Sequence, residues 1–213
     1  MSELSKKLAG KFIVIDGPDG AGKSTQLKLL AERLLGADVA VTQVRDPGGT
    51  AIGDRIREIL LDNAHADMAV ETELMLYMAS RAQLVAQTIR PALQRGQCVL
   101  SDRYISSTVA YQGAGGVDPA AVQQAGKIAT GGLLPDLTVV LDLPSDVGLG
   151  RAKNVGDPDR MESKALEFHQ RVRQSFLDQA AAEPGRFAVV DGSRELHEVA
   201  GNVWEALAAR FGE

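Results

Sequence analysis

Eight residues near the amino end carry the sharpest chemistry in this 213-residue chain: Gly17-Pro18-Asp19-Gly20-Ala21-Gly22-Lys23-Ser24, with the spacing G-x-x-x-x-G-K-[ST]. Glycines so placed let successive backbone N–H groups turn inward around a phosphate, and a following helix points its positive end there. Lys23 would reach the β- and γ-phosphates, the Ser24 hydroxyl would ligate Mg²⁺, and Thr25 adjoins them. The loop indicates a nucleoside triphosphate without saying what is done with it.

Other residues are candidates for a second substrate. Arg45 closes an apolar run, where a guanidinium can grip a phosphate through two parallel hydrogen bonds. Tyr77 and Arg81 stand four apart on one helix face, so a ring can stack on a base while the arginine donates to a base carbonyl. The same spacing also suits a core stripe of Leu74, Tyr77 and Met78 with Arg81 snorkelling, and the pattern alone leaves both readings open. Asp102 and Asp142 each end an apolar run, and either could help hold Mg²⁺. His65, His169 and His197 show no metal-ligand spacing, and Phe168, Val172 and Phe176 read as core.

The elements that must position these residues alternate along the chain. Phe12 to Ile15, Val39 to Val44, Gln97 to Leu100, Leu137 to Asp142 and Phe187 to Val190 read as strands. Between them, Leu27 to Leu35, Ala51 to Leu61 and a long segment from about Met68 to Gln94, kinked before Pro91, read as helices, and Leu196 to Phe211 closes the chain. Alternation of this kind predicts an α/β fold in three layers, a five-stranded parallel sheet with helices on both faces, and ligands at the carboxyl ends of the strands. Lys153 to Asp159 is polar and turn-rich, the best candidate for a loop that closes over a site.

The composition narrows the classes. A length of 213 suits a single domain, residues 1–213, and 45% apolar with 24% charged residues suits a globular core. A net charge of −5 argues against a nucleic-acid polymer as partner. One cysteine, Cys98, excludes an internal disulfide framework, and no apolar run is long enough for a membrane span or a signal-peptide core. The expectation is a protein of the cytoplasm. None of Asn63, Asn154 or Asn202 is followed by Lys, so the guanine-binding element of a GTPase is missing and a small kinase is favoured.

With the phosphate loop, Arg45-Asp46-Pro47-Gly48-Gly49-Thr50, Leu76 to Arg81, Asp102-Arg103-Tyr104, Ser107 to Gly113 and Asp159-Arg160-Met161-Glu162 resemble the thymidylate kinase family, in order and over nearly the whole chain. The resemblance implies the P-loop NTPase fold with a lid at about 151–162, phosphorylation of dTMP to dTDP by ATP with Mg²⁺ on the route to dTTP, and a homodimer. It implies that Tyr77 stacks on thymine and Arg81 contacts its exocyclic oxygen. Ser107, Tyr111 and Gln112 then meet base or sugar, Arg103 bridges the acceptor and transferring phosphates, and Asp19 meets the acceptor 3′-hydroxyl and the metal shell. It favours Asp102 over Asp142 for Mg²⁺. Arg151, Lys153 and Arg160 become the lid's cations, Arg151 on the ATP side. Gly20 stands where other members carry a loop arginine, so the chain resembles the basic-lid, bacterial type, with Val155 where many of those have a further arginine. The readings that compete are a deoxynucleoside kinase of related fold and a nucleotide-binding regulatory ATPase.

Overall fold

The computed structural model describes residues 3–153 and 157–212. In chain order the elements are α1 (Glu3–Leu8), β1 (Phe12–Asp16), α2 (Lys23–Gly36), β2 (Val41–Arg45), α3 (Ala51–Leu61), a 3₁₀ turn (Asn63–His65) and α4 (Val70–Leu84). A π-helical turn (Val85–Ile89), α5 (Arg90–Gln94), β3 (Cys98–Asp102), α6 (Ile105–Ala114), α7 (Pro119–Thr130) and β4 (Leu137–Asp142) follow, then α8 (Ser145–Lys153), α9 (Leu166–Ala182), β5 (Phe187–Asp191) and α10 (Leu196–Phe211).

The five strands form one parallel sheet in the order β2-β3-β1-β4-β5. Period-two alternation sends β1 side chains to opposite faces. Ile13 and Ile15 join the core under α2 and α10, while Phe12 and Val14 meet Leu84, Val85, Ile89 and Ala92 on the other side. A third cluster seats Ala110, Tyr111, Phe168, Val172 and Phe176 around Val140. The chain order reverses direction at β1, so the crevice for a ligand opens where β1 and β3 end, at Asp16 and Asp102.

Two of the differences from the sequence reading have a clear local cause. The second strand starts at Val41, because Asp38 takes a left-handed φ of 61° and the Val39 N–H still caps α2 on Leu34. The break before Pro91 is a π turn rather than a simple kink: Pro91 lacks an N–H and its ring crowds the carbonyl four residues earlier, and the wider turn accommodates both. No helix among the described residues is long and apolar enough to cross a membrane.

Candidate active site

A cavity of about 470 Å³ opens at the carboxyl ends of β1, β2 and β3. Gly17 to Gly22 curl from the end of β1 to Gly22, which caps α2 with φ 85°. Lys23, 8% exposed, folds back so that Nζ donates to the Pro18 carbonyl at 2.7 Å. Burial and the nearby Arg103 push its ammonium pKa down to about 8. Ser24 Oγ donates to Asp102 Oδ2 at 2.6 Å, which joins the end of the phosphate loop to the end of β3.

One contact sets how closely α8 approaches. A Cβ on Gly20 would lie 1.9 Å from the Gly148 carbonyl oxygen, and a Cβ on Gly148 would lie 2.3 Å from the Asp19 carbonyl oxygen. Loop and helix therefore touch backbone to backbone. Gly20 also has φ 71°, so position 20 has no room for a side chain.

Arg103 is the hub of the site. It is a non-glycine residue at φ 70°, and that turn after β3 swings its guanidinium under the loop. Nη2 donates to Asp19 Oδ1 at 2.5 Å and to the Tyr111 hydroxyl at 3.2 Å. Nη1 donates to Ser107 Oγ at 2.9 Å and to the Gly17 carbonyl at 3.3 Å. Tyr111 in turn donates to Asp19 Oδ2 at 2.7 Å. Burial alone would raise the Asp19 carboxyl, but Arg103 and Lys23 outweigh it and hold it below the usual range. Behind this cluster Asp16, fully buried, accepts from Ser106 at 2.6 Å, Ser107 at 2.7 Å and the Gly17 N–H at 2.9 Å.

The opposite wall carries the second-substrate candidates. Arg45 and Tyr77 line it, together with Arg57, whose Nη1 donates to the Pro47 carbonyl at 3.1 Å. Thr50 caps α3 by accepting from the Gly53 N–H, as its place before the helix leads one to expect. Arg81 is 1% exposed and already engaged: Nε pairs with Asp46, Nη2 donates to the Tyr104 carbonyl at 3.1 Å, and Nη1 points to Met78 Sδ at 3.5 Å. It is neither a snorkelling charge nor a free donor, since only the Nη1 side is left for a ligand. Burial raises the Asp46 carboxyl despite Arg81. Gln112 Nε2 donates to Glu73 Oε1 at 2.7 Å, so its amide is held by α4.

The phosphate-loop residues Asp19, Gly20, Gly22, Lys23, Ser24 and Thr25 thus share one cavity with Arg45, Tyr77, Arg81, Asp102, Arg103, Ser107, Tyr111 and Gln112. Gly17, Pro18 and Ala21 form the base of the loop and not the cavity wall. In this structure Arg160 and Arg151 hold contacts outside the cavity. Arg160 is buried in an ion pair with Glu73, with Nε donating to the Leu60 carbonyl at 2.8 Å. Arg151 donates to the Gly192 and Ser193 carbonyls at 2.9 and 3.3 Å, after β5. Lys153 is exposed at the end of α8, and Val155 and Gly156 lie outside the described residues. What draws Arg160 away is a buried carboxylate: Glu73 is 6% exposed and needs a cation. Asp142 is likewise taken, bound by Arg173 through two bonds of 2.7 and 2.8 Å, and among the two strand-end candidates only Asp102 meets the phosphate loop.

Sequence reasoning missed Asp16, Arg57, Glu73 and His169. Asp16 had a signal, since it ends a strand as Asp102 does, and Glu73 stands four residues before Tyr77 on the same face. His169, 1% exposed, places Nδ1 3.9 Å from Asp19 Oδ2 while Nε2 has no hydrogen-bond partner among the described residues. Burial lowers its pKa more than Asp19 raises it, so the ring is neutral at pH 7. Nothing in the placement of a lone histidine in a core stripe gave that away.

Comparison with known proteins adds an independent finding. A family model described as thymidylate kinase matches residues 15–203. A thymidylate kinase of Deinococcus radiodurans is 52% identical over 202 residues, which cover 94% of this chain and 98% of the relative. One from Pseudomonas fluorescens is 49% identical over 193 residues, 90% of this chain and 92% of the relative. The crystal structure of thymidylate kinase from Ehrlichia chaffeensis superposes with a TM-score of 0.74 at 30% identity, covering 92% of this chain and 97% of that one.

Proposed function

The chain belongs to the thymidylate kinase family, and on that premise we propose that it transfers the γ-phosphoryl group of ATP to the 5′-phosphate of dTMP, giving dTDP. The observation that carries this reading is a single cavity with two phosphate-seeking ends, the loop with Lys23 on one side and Arg45, Arg57 and Arg103 on the other.

The acceptor phosphate is largely ionised at neutral pH, so no general base is needed. What remains is positioning and charge neutralisation. Lys23 leaves the Pro18 carbonyl to follow the transferring group, and Arg103, held by Asp19 and Tyr111, spans the gap between the two phosphates. Tyr77 offers its ring to the base, and Arg81, pinned by Asp46 and the Tyr104 carbonyl, presents its remaining edge. Ser107 and Gln112 border the sugar and base, and the Tyr111 ring beside them disfavours a 2′-hydroxyl.

The hydroxyl of Ser24 and the carboxylate of Asp102 are hard oxygen donors side by side at the cavity floor, and they fit Mg²⁺, a cation that takes few protein ligands and keeps phosphate and water oxygens. Bound there, Mg²⁺ would neutralise charge on the β- and γ-phosphates. For the lid, Arg160 anchors the segment and Arg151 and Lys153, on α8, approach the donor side on closure. Exposed Ile52 and Ile59 on α3 and Met75 on the adjacent α4 support a homodimer. The setting is the cytoplasm.

A coupled assay of ADP release with dTMP, thymidine and other nucleoside monophosphates tests the reading. Turnover with dTMP and none with thymidine is expected. Turnover on thymidine alone would overturn it, as would ATP hydrolysis indifferent to any monophosphate.

A further inference from the structure

A second cavity, of about 380 Å³, lies against the face of α6 turned away from the first. The first turn of α6 separates the two. Arg103, Ser107 and Tyr111 face one cavity, and Tyr104, Ile105 and Ser106 face the other. At its far side the second cavity reaches the amino ends of β4 and β5, the opposite edge of the sheet from the phosphate loop. Its size falls within the range of small-molecule sites.

Its walls specify a chemistry. Ile105 and Phe187, both half-buried, supply apolar surface for a flat ring, with Tyr104 fully buried behind them. Lys127 and Arg186 are its cations, and Glu183, the sole carboxylate in its lining, is already bound by Arg186. Lys127 has no ion-pair partner among the described residues. Two cations against one carboxylate give this cavity a surplus positive charge in a chain whose net charge is −5. Thr138 also lines it and adds a hydroxyl to its wall.

We propose that this cavity is a second small-molecule site, one that takes an aromatic or heteroaromatic anion, and that its occupancy is felt in the first cavity through α6. The linkage is short. Gln179 Nε2, on the second cavity's wall, donates to the Ser106 carbonyl at 3.2 Å. The Ser106 hydroxyl holds one oxygen of Asp16 and Ser107 holds the other, and Ser107 accepts from Arg103 at 2.9 Å. A ring wedged against Ile105, or an anion that draws Gln179 off, moves the helix turn that aims Arg103.

The probe is 8-anilinonaphthalene-1-sulfonate, an aromatic anion, titrated by fluorescence onto the full chain with saturating ADP and dTMP filling the first cavity. One equivalent should bind. Lys127→Glu, at an exposed side chain, should weaken binding by about tenfold or more, and Leu134→Trp, at the 51% exposed rim, should do the same by steric block. Lys28→Glu, on the exposed face of α2, should leave binding unchanged. In the ADP-release assay with saturating substrates, the bound probe should alter kcat about twofold or more in the parent chain and not in Lys127→Glu. No saturable binding once the first cavity is filled, or binding indifferent to both Lys127→Glu and Leu134→Trp, overturns the site. Saturating probe with unchanged kcat overturns the linkage.

Discussion

Gly148→Ala and Gly150→Ala are the same chemical change two residues apart on α8, and the structure assigns them opposite fates. A methyl on Gly150 meets nothing within 4 Å. It should gain the helix-propensity difference of about 0.8–1 kcal/mol and leave turnover alone. A methyl on Gly148 would stand 2.3 Å from the Asp19 carbonyl oxygen, whereas ordinary contact begins at 3.4 Å. The atom it strikes is backbone of the phosphate loop and cannot swing aside. The helix must therefore retreat by about 1 Å, and misplacement on that scale costs about 100-fold in rate. Overpacking costs about 1–3 kcal/mol, which the propensity gain only partly offsets. Gly148→Ala should thus lose up to about 2 kcal/mol while kcat falls by about two orders of magnitude. Thermal melts and the ADP-release assay on both variants give the comparison. Equal kcat in Gly148→Ala and Gly150→Ala would refute the claim that backbone contact with the phosphate loop sets the position of α8.

Three further expectations come from the charged groups. Because the Lys23 ammonium sits at about 8, kcat/KM for ATP, which reports the free enzyme, should decline above that pH, while kcat holds further because the bound triphosphate favours the ammonium. Between about 8 and the ordinary 10.5 the unfolded chain holds the extra proton, so this group's contribution to stability rises with pH there; a flat kcat/KM profile to pH 9.5 would show the lysine unperturbed. Arg103→Ala should cut kcat by about 100- to 1000-fold and leave the equilibrium affinity for ATP nearly intact, since its contacts are with Asp19, Tyr111 and Ser107 and not with the loop's inward N–H groups; near-normal turnover would sink the bridging role. Glu73→Ala and Arg160→Ala should each cost about 3 kcal/mol, roughly 6–12 °C in Tm, with the double variant well short of the sum; strict additivity in denaturant melts would mean that the pair does not form.

What could be read from the sequence was what is local. The phosphate loop is contiguous, and its function depends on backbone shape that eight neighbouring residues dictate. The strand ends at Arg45, Asp102 and Asp142 were legible because each run of apolar residues stops abruptly at a charge. Which of those charges would point into the cleft was not legible. Asp142 meets Arg173, 31 residues on, and Arg160 meets Glu73, 87 residues back. Such pairings depend on how α4, α9 and the lid pack, and packing leaves no mark in spacing. Arg81 shows the same limit. A helix wheel places it beside Tyr77 but cannot reveal Asp46, which arrives on a different element and takes its Nε. The run from Ser107 to Gly113 was read for its side chains and not as a helix, because hydroxyl and β-branched residues are weak helix formers. Tertiary contact made it the wall of the site.

Asp16 has a consequence for anyone wishing to redesign the enzyme. One carboxylate, at the end of the central strand, receives the first amide of the phosphate loop and both serines of the acceptor-side helix. Donor and acceptor pockets therefore share a joint and cannot be tuned as separate modules. A library built at positions 106 and 107 to accept a different base or sugar will also sample changes in ATP affinity, whichever phenotype is selected. Variants recovered on a new acceptor should be expected to carry compensating changes around Gly17, and a screen run at a single ATP concentration will discard acceptor pockets that work but whose donor site has slackened.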